Sequence, residues 1–83
     1  MKLEWHQTAS FQNWNLSYCL LISGVSQLRF GVGVISQSLA GENKAFCFGL
    51  TNSRKAAVDF LEAAARNNVL PSNFGEVAED WFS

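Results

Sequence analysis

The sequence predicts an α+β fold in two layers, a three-stranded antiparallel β-meander followed by two C-terminal helices packed on one face. Two observations lead to this prediction. Large apolar residues alternate with small or polar ones from Trp14 to Leu50, which is the period of half-buried strands. From Thr51 onward the apolar residues recur every three or four positions, as in an amphipathic helix. Residues 1–13 alternate only weakly, so we expect either a fourth, edge strand or an N-terminal arm.

The size and charge of the chain limit what it can be. Its 83 residues, 48% of them apolar, suit one domain with an N-terminal segment 1–13, a meander 14–50 and a helical layer 51–83. The 6 basic and 7 acidic residues disfavour a nucleic-acid partner, because nucleic-acid-binding domains present a basic surface. No apolar run approaches the roughly 20 residues of a membrane helix. With only 2 cysteines and no recognisable signal peptide, a cytoplasmic protein without membrane contact is expected.

The alternation also predicts the register of the meander. The large residues of the first two strands are all even-numbered: Trp14, Leu16, Tyr18, Leu20, Ile22, Leu28, Phe30, Val32 and Val34. Because they must share one face, Leu20 is expected opposite Phe30, with a three-residue loop at 24–26. The third strand is expected to place Phe48 opposite Val32, so that its phenylalanines join the same bulky face.

The opposite face of the meander is expected to be nearly bare, and it forms the candidate binding surface. Its residues are Ser17, Cys19, Arg29, Gly31, Gly33, Cys47 and Gly49. A glycine inside a strand often marks the close approach of a ligand or of another backbone, and the alternative is that it only relieves twist. Arg29 is expected to project from this face, where a guanidinium binds carboxylate or phosphate, unless it lies along the sheet.

The helices carry recognisable start and stop signals. Thr51 or Ser53 is expected to cap the first helix, because both side chains can accept a hydrogen bond from the first turn. The pair Asn67-Asn68 supplies the left-handed exit that asparagine tolerates. The second helix is expected to start at Ser72 or Asn73, with Glu76 completing a capping box on Asn73.

Much of the chain resembles a known family. The resemblance rests on the alternating hairpin 18–34, the Leu50-Thr51 step into the first helix, and the tail formed by Asn68-Val69-Leu70-Pro71 and residues 77–82. Over residues 14–83 this order resembles a family of small bacterial proteins of unknown function, found mainly in clostridia and their relatives. The resemblance implies the same fold and carries no activity with it.

No catalytic, metal or cofactor site is expected. Nucleophilic catalysis needs a thiol or hydroxyl beside a base, and the only histidine, His6, reaches a cysteine only if the N-terminal segment folds over the bare face. The chain lacks the CxxC spacing of a structural zinc site. Gly31-Val32-Gly33 lies inside a strand, whereas a dinucleotide-binding fingerprint needs its glycines at a strand-to-helix turn.

We therefore expect a non-enzymatic interaction module that binds a protein partner stoichiometrically, or itself as a homodimer. Inhibitors of host defence that are encoded by phages or mobile elements act in this way. The expectation rests on the absence of a catalytic constellation, on the nearly balanced charge of the chain, and on the bare face of the meander, which no helix is expected to cover. The alternative is a protein that sequesters a small anionic, nucleotide-like ligand on Arg29 and the glycines, and an enzyme using Cys19 or Cys47 ranks third.

Overall fold

The computed structural model describes residues 1–83 and shows a four-stranded antiparallel sheet followed by two helices. The strands lie side by side in chain order: β1 (Lys2–Phe11), β2 (Trp14–Ser23), β3 (Arg29–Ser38) and β4 (Gly41–Thr51). The helices are α1 (Arg54–Arg66) and α2 (Pro71–Phe82), and neither is long and apolar enough to cross a membrane. The α+β fold is confirmed, and the N-terminal segment forms the edge strand.

Both helices pack on one face of the sheet, which we call the inner face; the opposite one is the outer face. The inner face is built from even-numbered residues of β2 and β3, and side chains of α1 and α2 cover them. The largest fully buried side chains of this core are Leu16, Tyr18, Leu20, Val32, Val34, Phe60, Leu61 and Phe74. Each such side chain stabilises the fold by about 1.5–3 kcal/mol relative to exposure, so this layer dominates stability.

The first hairpin of the predicted meander has the expected parity but a different register. Leu20 lies opposite Val32, and Phe30 lies opposite Ile22, two residues away from the predicted partner. The predicted three-residue loop is wrong, because the connection runs from Gly24 to Leu28. Gly24 adopts φ +99°, which turns the chain out of the strand and leaves Leu28 in the loop, half exposed. Since the shift is by two, the faces of β2 and β3 stay as predicted.

The predicted register of β4 is wrong by one residue, so each of its side chains lies on the face opposite to the predicted one. Val32 lies opposite Cys47 and not opposite Phe48. Because side chains alternate along a strand, Cys47 points to the inner face, while Phe46 and Phe48 point to the outer face. The bare face predicted from the sequence therefore carries aromatic rings.

The cause of this shift is the turn between β3 and β4. Ser38 pairs with Gly41, so the strands are joined by the two residues Leu39-Ala40. The predicted pairing of Phe48 with Val32 would require an odd number of residues in this turn. Gly41 adopts φ +141°, which favours glycine and completes the tight turn. The turn length thus sets which side chains of β4 face the helices.

β1 contributes to both faces because of a β-bulge. Trp5 lies opposite Cys19, but the next pair is Gln7 opposite Tyr18, so His6 is an extra residue. Before the bulge, the odd-numbered side chains of β1 point to the outer face. After the bulge, the odd-numbered side chains point to the inner face. The bulge thereby places Trp5 on the outer face.

The predicted signals for α1 are confirmed, with Ser53 as the cap. Its Oγ accepts a hydrogen bond from the Ala56 backbone N–H at 3.1 Å. Asn68 adopts φ +51° after the helix ends, as the left-handed exit requires.

The predicted start of α2 is wrong. The helix begins at Pro71, with Leu70 at the N-cap position and no side-chain cap. Proline is favoured in the first turn because its fixed φ suits a helix and its missing N–H would have no partner there. The capping box of Asn73 and Glu76 does not form, because Asn73 already lies inside the helix.

One buried hydrogen bond ties the sheet to the helix connection. The Tyr18 hydroxyl donates to the Val69 carbonyl at 2.7 Å, and burial raises the pKa of Tyr18 to about 12. Tyr18→Phe is expected to lower the free energy of unfolding by about 1–3 kcal/mol, because the Val69 carbonyl loses its donor while it stays buried. Urea denaturation followed by circular dichroism measures the loss, and an unchanged midpoint would contradict it.

Candidate functional site

The outer face of the sheet has an apolar half, which we call the apolar patch. One row of side chains crosses all four strands through residues that pair in succession: Trp5, Cys19, Gly33 and Phe46. A second row begins with Leu3, Leu21 and Gly31, and Phe48 lies beside it on β4. The large exposed members of the two rows lie on the two edge strands, which are β1 and β4, and smaller or buried residues of β2 and β3 lie between them.

Three side chains of the apolar patch remain open to solvent. Trp5 and Phe48 are each 57% exposed, and Leu3 is 40% exposed. Beneath them Cys19 and Leu21 are buried, although no helix covers this face. Large exposed apolar side chains grouped on one face mark binding sites more often than single residues scattered over the surface do.

The other half of the outer face is polar. Its two rows are Thr8, Ser17, Ile35 and Lys44, then Ser10, Asn15, Gln37 and Glu42. Gln37 donates a hydrogen bond to Glu42 at 2.9 Å. With one lysine and one glutamate, this half adds no net charge to the face.

Gly33 admits an aromatic ring of the same chain. A Cβ built on Gly33 would lie 2.5 Å from Cδ1 of Phe46 and 2.8 Å from Sγ of Cys19. The Phe46 ring and the Cys19 sulfur therefore both lie close to the glycine, and the Phe48 ring centroid is 6.3 Å from that of Phe46. The space beside Gly33, where the close approach of a ligand or of another backbone was expected, is therefore filled by Phe46.

Gly31 is closely approached by the backbone of β4. A Cβ on Gly31 would lie 2.2 Å from the Cys47 carbonyl oxygen and 2.9 Å from Cα of Phe48. The register of β3 and β4 changes at this point, and Gly49 in the resulting bulge adopts φ +60°. The predicted register, in which Phe48 lies opposite Val32 and hence Gly49 opposite Gly31, is therefore wrong at this point.

Arg29 lies along the sheet. Its Nη2 donates a hydrogen bond to the Gly49 carbonyl oxygen at 2.7 Å, while the side chain stays exposed. The guanidinium thus supports the bulge of β4, as in the structural alternative weighed from the sequence.

The two cysteines lie on opposite faces of the sheet and are both free thiols. Burial raises the pKa of Cys19 to about 11. Burial and the charge of Glu79 raise the pKa of Cys47. Since the thiolate is the reactive form, neither sulfur has the lowered pKa of an activated nucleophile.

His6 is engaged with a carboxylate instead of a thiol. Its Nε2 lies 3.3 Å from Oε1 of Glu4, whose pKa is lowered chiefly by a hydrogen bond from Arg54 of α1. Glu4 pairs with the inner-face residue Leu20, whereas the Cys19 sulfur lies on the outer face. The structure therefore does not bring a cysteine and the histidine together.

Cys19 is expected to resist alkylation in the folded protein. Burial raises the pKa of Cys19 to about 11, so the thiol is almost entirely protonated at pH 8. The residue is also fully buried, with the Phe46 ring and the sulfur both beside Gly33. In a Cys47→Ala variant, iodoacetamide should react with Cys19 far more slowly than in urea, and Phe46→Ala should accelerate the reaction. Mass spectrometry follows the adduct. Equal rates in the folded and unfolded protein would contradict the burial.

The structure divides the predicted site residues into two groups. Ser17, Cys19, Arg29, Gly31 and Gly33 lie on the outer face, as expected. Cys47 lies on the inner face and Gly49 lies in the bulge, so these two do not join that surface.

Sequence reasoning missed the four most prominent side chains of the outer face, Leu3, Trp5, Phe46 and Phe48. The weak alternation of Leu3 and Trp5 was the available signal for β1. No comparable signal fixed the faces of β4.

A separate cleft of about 410 Å³ opens where β3 and β4 approach the start of α2. Its lining residues are Trp14, Ser36, Asn43, Lys44, Leu70, Pro71 and Ser72. It combines an aromatic ring, one lysine and short polar side chains. This composition suits a small ligand better than the filled strip around Gly33.

Comparison with known proteins identifies one family. No curated protein and no solved structure matches the chain. The model of a family described as a family of unknown function (DUF6514) matches residues 3–83. The match includes β1, which the resemblance noted from the sequence left out, and it spans all six helices and strands. The chain therefore belongs to this family of unknown function, DUF6514.

Proposed function

We propose that the chain is a non-enzymatic interaction module that binds a protein partner stoichiometrically through the outer face of its sheet. The observation that carries the proposal is the apolar patch, in which Trp5 and Phe48 are each 57% exposed on a face without helices. Tryptophan and other large aromatic side chains contribute most of the binding energy at many interfaces, because they exclude water from a wide area.

The distribution of charge on the outer face supports a protein partner. The patch itself is uncharged, and its border contains Arg29, Lys44 and Glu42. An apolar centre with a polar rim is the usual composition of a protein interface. A nucleic-acid surface would instead need several basic side chains along one face.

A narrower form of the proposal concerns the partner. In this form the chain is an inhibitor encoded by a phage or mobile element, and it occupies a defence protein in the cytoplasm of a bacterium of clostridial type. Inhibition by occupancy needs tight binding and no chemistry, in agreement with the raised pKa of both cysteine thiols. Phage structural genes or defence systems beside the gene would support it, and housekeeping neighbours in every genome would contradict it.

The binding surface is tested with two variants and a matched control. Trp5→Ser and Phe48→Ser each remove an exposed ring from the apolar patch, whereas Leu39→Ser removes an exposed apolar side chain from the β3–β4 turn. Each variant is compared with the parent by quantitative affinity purification from cells that express it. We expect a protein held in equimolar amount by the parent and by Leu39→Ser to bind about 30-fold more weakly to either patch variant.

Two results would contradict the proposal. Equal retention of the bound protein by the parent and by both patch variants would exclude the outer face. Loss with Leu39→Ser to the same extent would show an unspecific effect of reduced surface apolarity. Circular dichroism of each variant verifies that the fold persists, as the exposure of the replaced side chains leads us to expect.

The cleft supports a second candidate, the capture of a small anionic ligand. Trp14 supplies a stacking surface, and Ser36 and Asn43 supply polar groups. Lys44, whose side chain starts on the outer face of the edge strand, adds a positive charge at the rim. Native mass spectrometry of the purified protein would detect a bound molecule that is released on heating. A mass shift that disappears with Lys44→Ala would favour this candidate, and a ligand-free mass at every concentration would exclude it.

A further inference from the structure

We infer that the partner on the outer face is a second copy of this chain, packed sheet on sheet about a two-fold axis. The inference rests on the proposed function, because it names the occupant of the same surface. It is carried by three properties of the outer face: its area, the placement of its large apolar side chains, and the placement of charge.

The area of the outer face matches the requirement of a dimer. Four strands spaced about 4.8 Å apart, with about 3.3 Å per residue along each strand, give a face of about 600 Å². Two copies would bury about 1,200 Å² in total, which lies above the roughly 1,000 Å² expected for a specific interface. Sheets packed face to face are a common arrangement, with about 10 Å between them.

The large apolar side chains are placed to suit this symmetry. A two-fold axis parallel to the strands, between β2 and β3, exchanges the edge strands β1 and β4 and also exchanges β2 with β3. The exposed Leu3 and Phe48 lie at the two ends of one row, so the axis brings Leu3 of each copy toward Phe48 of the other. Trp5 and Phe46 end the other row, so each Trp5 meets the Phe46 of the second copy.

The charged side chains avoid one another under the same axis. Arg29 pairs with Ser23 within the sheet, so the arginine of one copy faces a serine of the other. By the same exchange Lys44 faces Thr8, and Glu42 faces Ser10. No like charges are opposed, and the net charge of −1 per chain adds little repulsion.

The first experiment measures the mass of the assembly. Sedimentation equilibrium from low micromolar to several hundred micromolar protein is expected to show a dimer of the 9.2 kDa chain. Trp5→Ser and Phe48→Ser should weaken the dimer about 30-fold, while Leu39→Ser should leave it unchanged. A parent that stays monomeric, or a dimer that survives both patch variants, would overturn the inference.

The second experiment tests the two-fold arrangement itself. Ser10 is exposed and faces Glu42 of the second copy only in this arrangement. Ser10→Lys should tighten the dimer and Ser10→Glu should weaken it, each by about 3- to 10-fold at low salt, because each substitution acts twice. Equal effects of the two substitutions, or effects of the opposite sign, would overturn the arrangement.

Failure of this inference is distinguishable from failure of the proposed function. In one outcome, the parent is monomeric and binds a different protein in equimolar amount, and this protein is lost when Trp5 is replaced. That result would overturn the homodimer and support the outer face as a binding surface. Patch variants that change neither the assembly nor the retained proteins would overturn both.

Discussion

Replacing Phe30 with alanine is expected to lower the free energy of unfolding by about 3–5 kcal/mol, whereas Phe48→Ala should cost about 1 kcal/mol or less. Phe30 is 6% exposed and belongs to the inner core, while Phe48 is 57% exposed on the outer face. The lost Phe30 ring leaves a cavity among packed neighbours. A Phe48 ring removed from the surface leaves only water in its place.

The measurement is urea denaturation of both variants beside the parent. A domain of this size has about 4–12 kcal/mol of stability in total, so Phe30→Ala is expected to be partly unfolded at 37 °C. Phe48→Ala serves as the matched control, because it removes the same atoms from the opposite face of the sheet. Equal losses in the two variants would show that Phe48 faces the helices after all.

Gly31→Ala is expected to cost about 3 kcal/mol or more, because the new methyl group would meet backbone atoms and not a movable side chain. The Cβ would lie 2.2 Å from the carbonyl oxygen of Cys47, so β3 and β4 must separate or the bulge must rearrange. Thermal unfolding followed by circular dichroism is a suitable measurement.

Gly75→Ala provides the control for that substitution. Gly75 lies inside α2, and a Cβ there meets no atom within 4 Å. Alanine is about 0.5–1 kcal/mol more favourable than glycine in a helix interior, so this variant should be more stable than the parent. Destabilisation of similar size at both positions would contradict the close approach of β4 to Gly31.

The elements that the sequence predicted well are those with long, unbroken periodicity. The alternation on β2 and β3 assigned their faces correctly, and a two-residue error in the loop did no harm because the period of a strand is two. The helix cap at Ser53 and the left-handed residue Asn68 depend only on a few neighbouring residues, so the sequence predicted them equally well.

The faces of β1 and β4 depend on a single residue each, and the sequence did not reveal them. The turn Leu39-Ala40 decides the parity of β4, and the extra residue His6 decides the parity of β1. Neither position carries a residue type that specifies a turn or a bulge. As a result, the glycines of the outer face were predicted, but the aromatic rings that cover them were not.

The bulge at His6 determines which side chains β1 contributes to the outer face. Deleting His6 would bring the two ends of β1 into one register. Trp5 would then directly precede Gln7, so it would stay opposite Cys19 and on the outer face. If His6 were instead paired opposite Cys19 without a bulge, Trp5 would lie opposite Leu20 and point toward the helices. The apolar character of the outer face therefore depends on the pairing of β1 with β2 as well as on the residue types in the strand. At the present length of β1, Trp5 lies on the outer face only because the bulge accommodates His6.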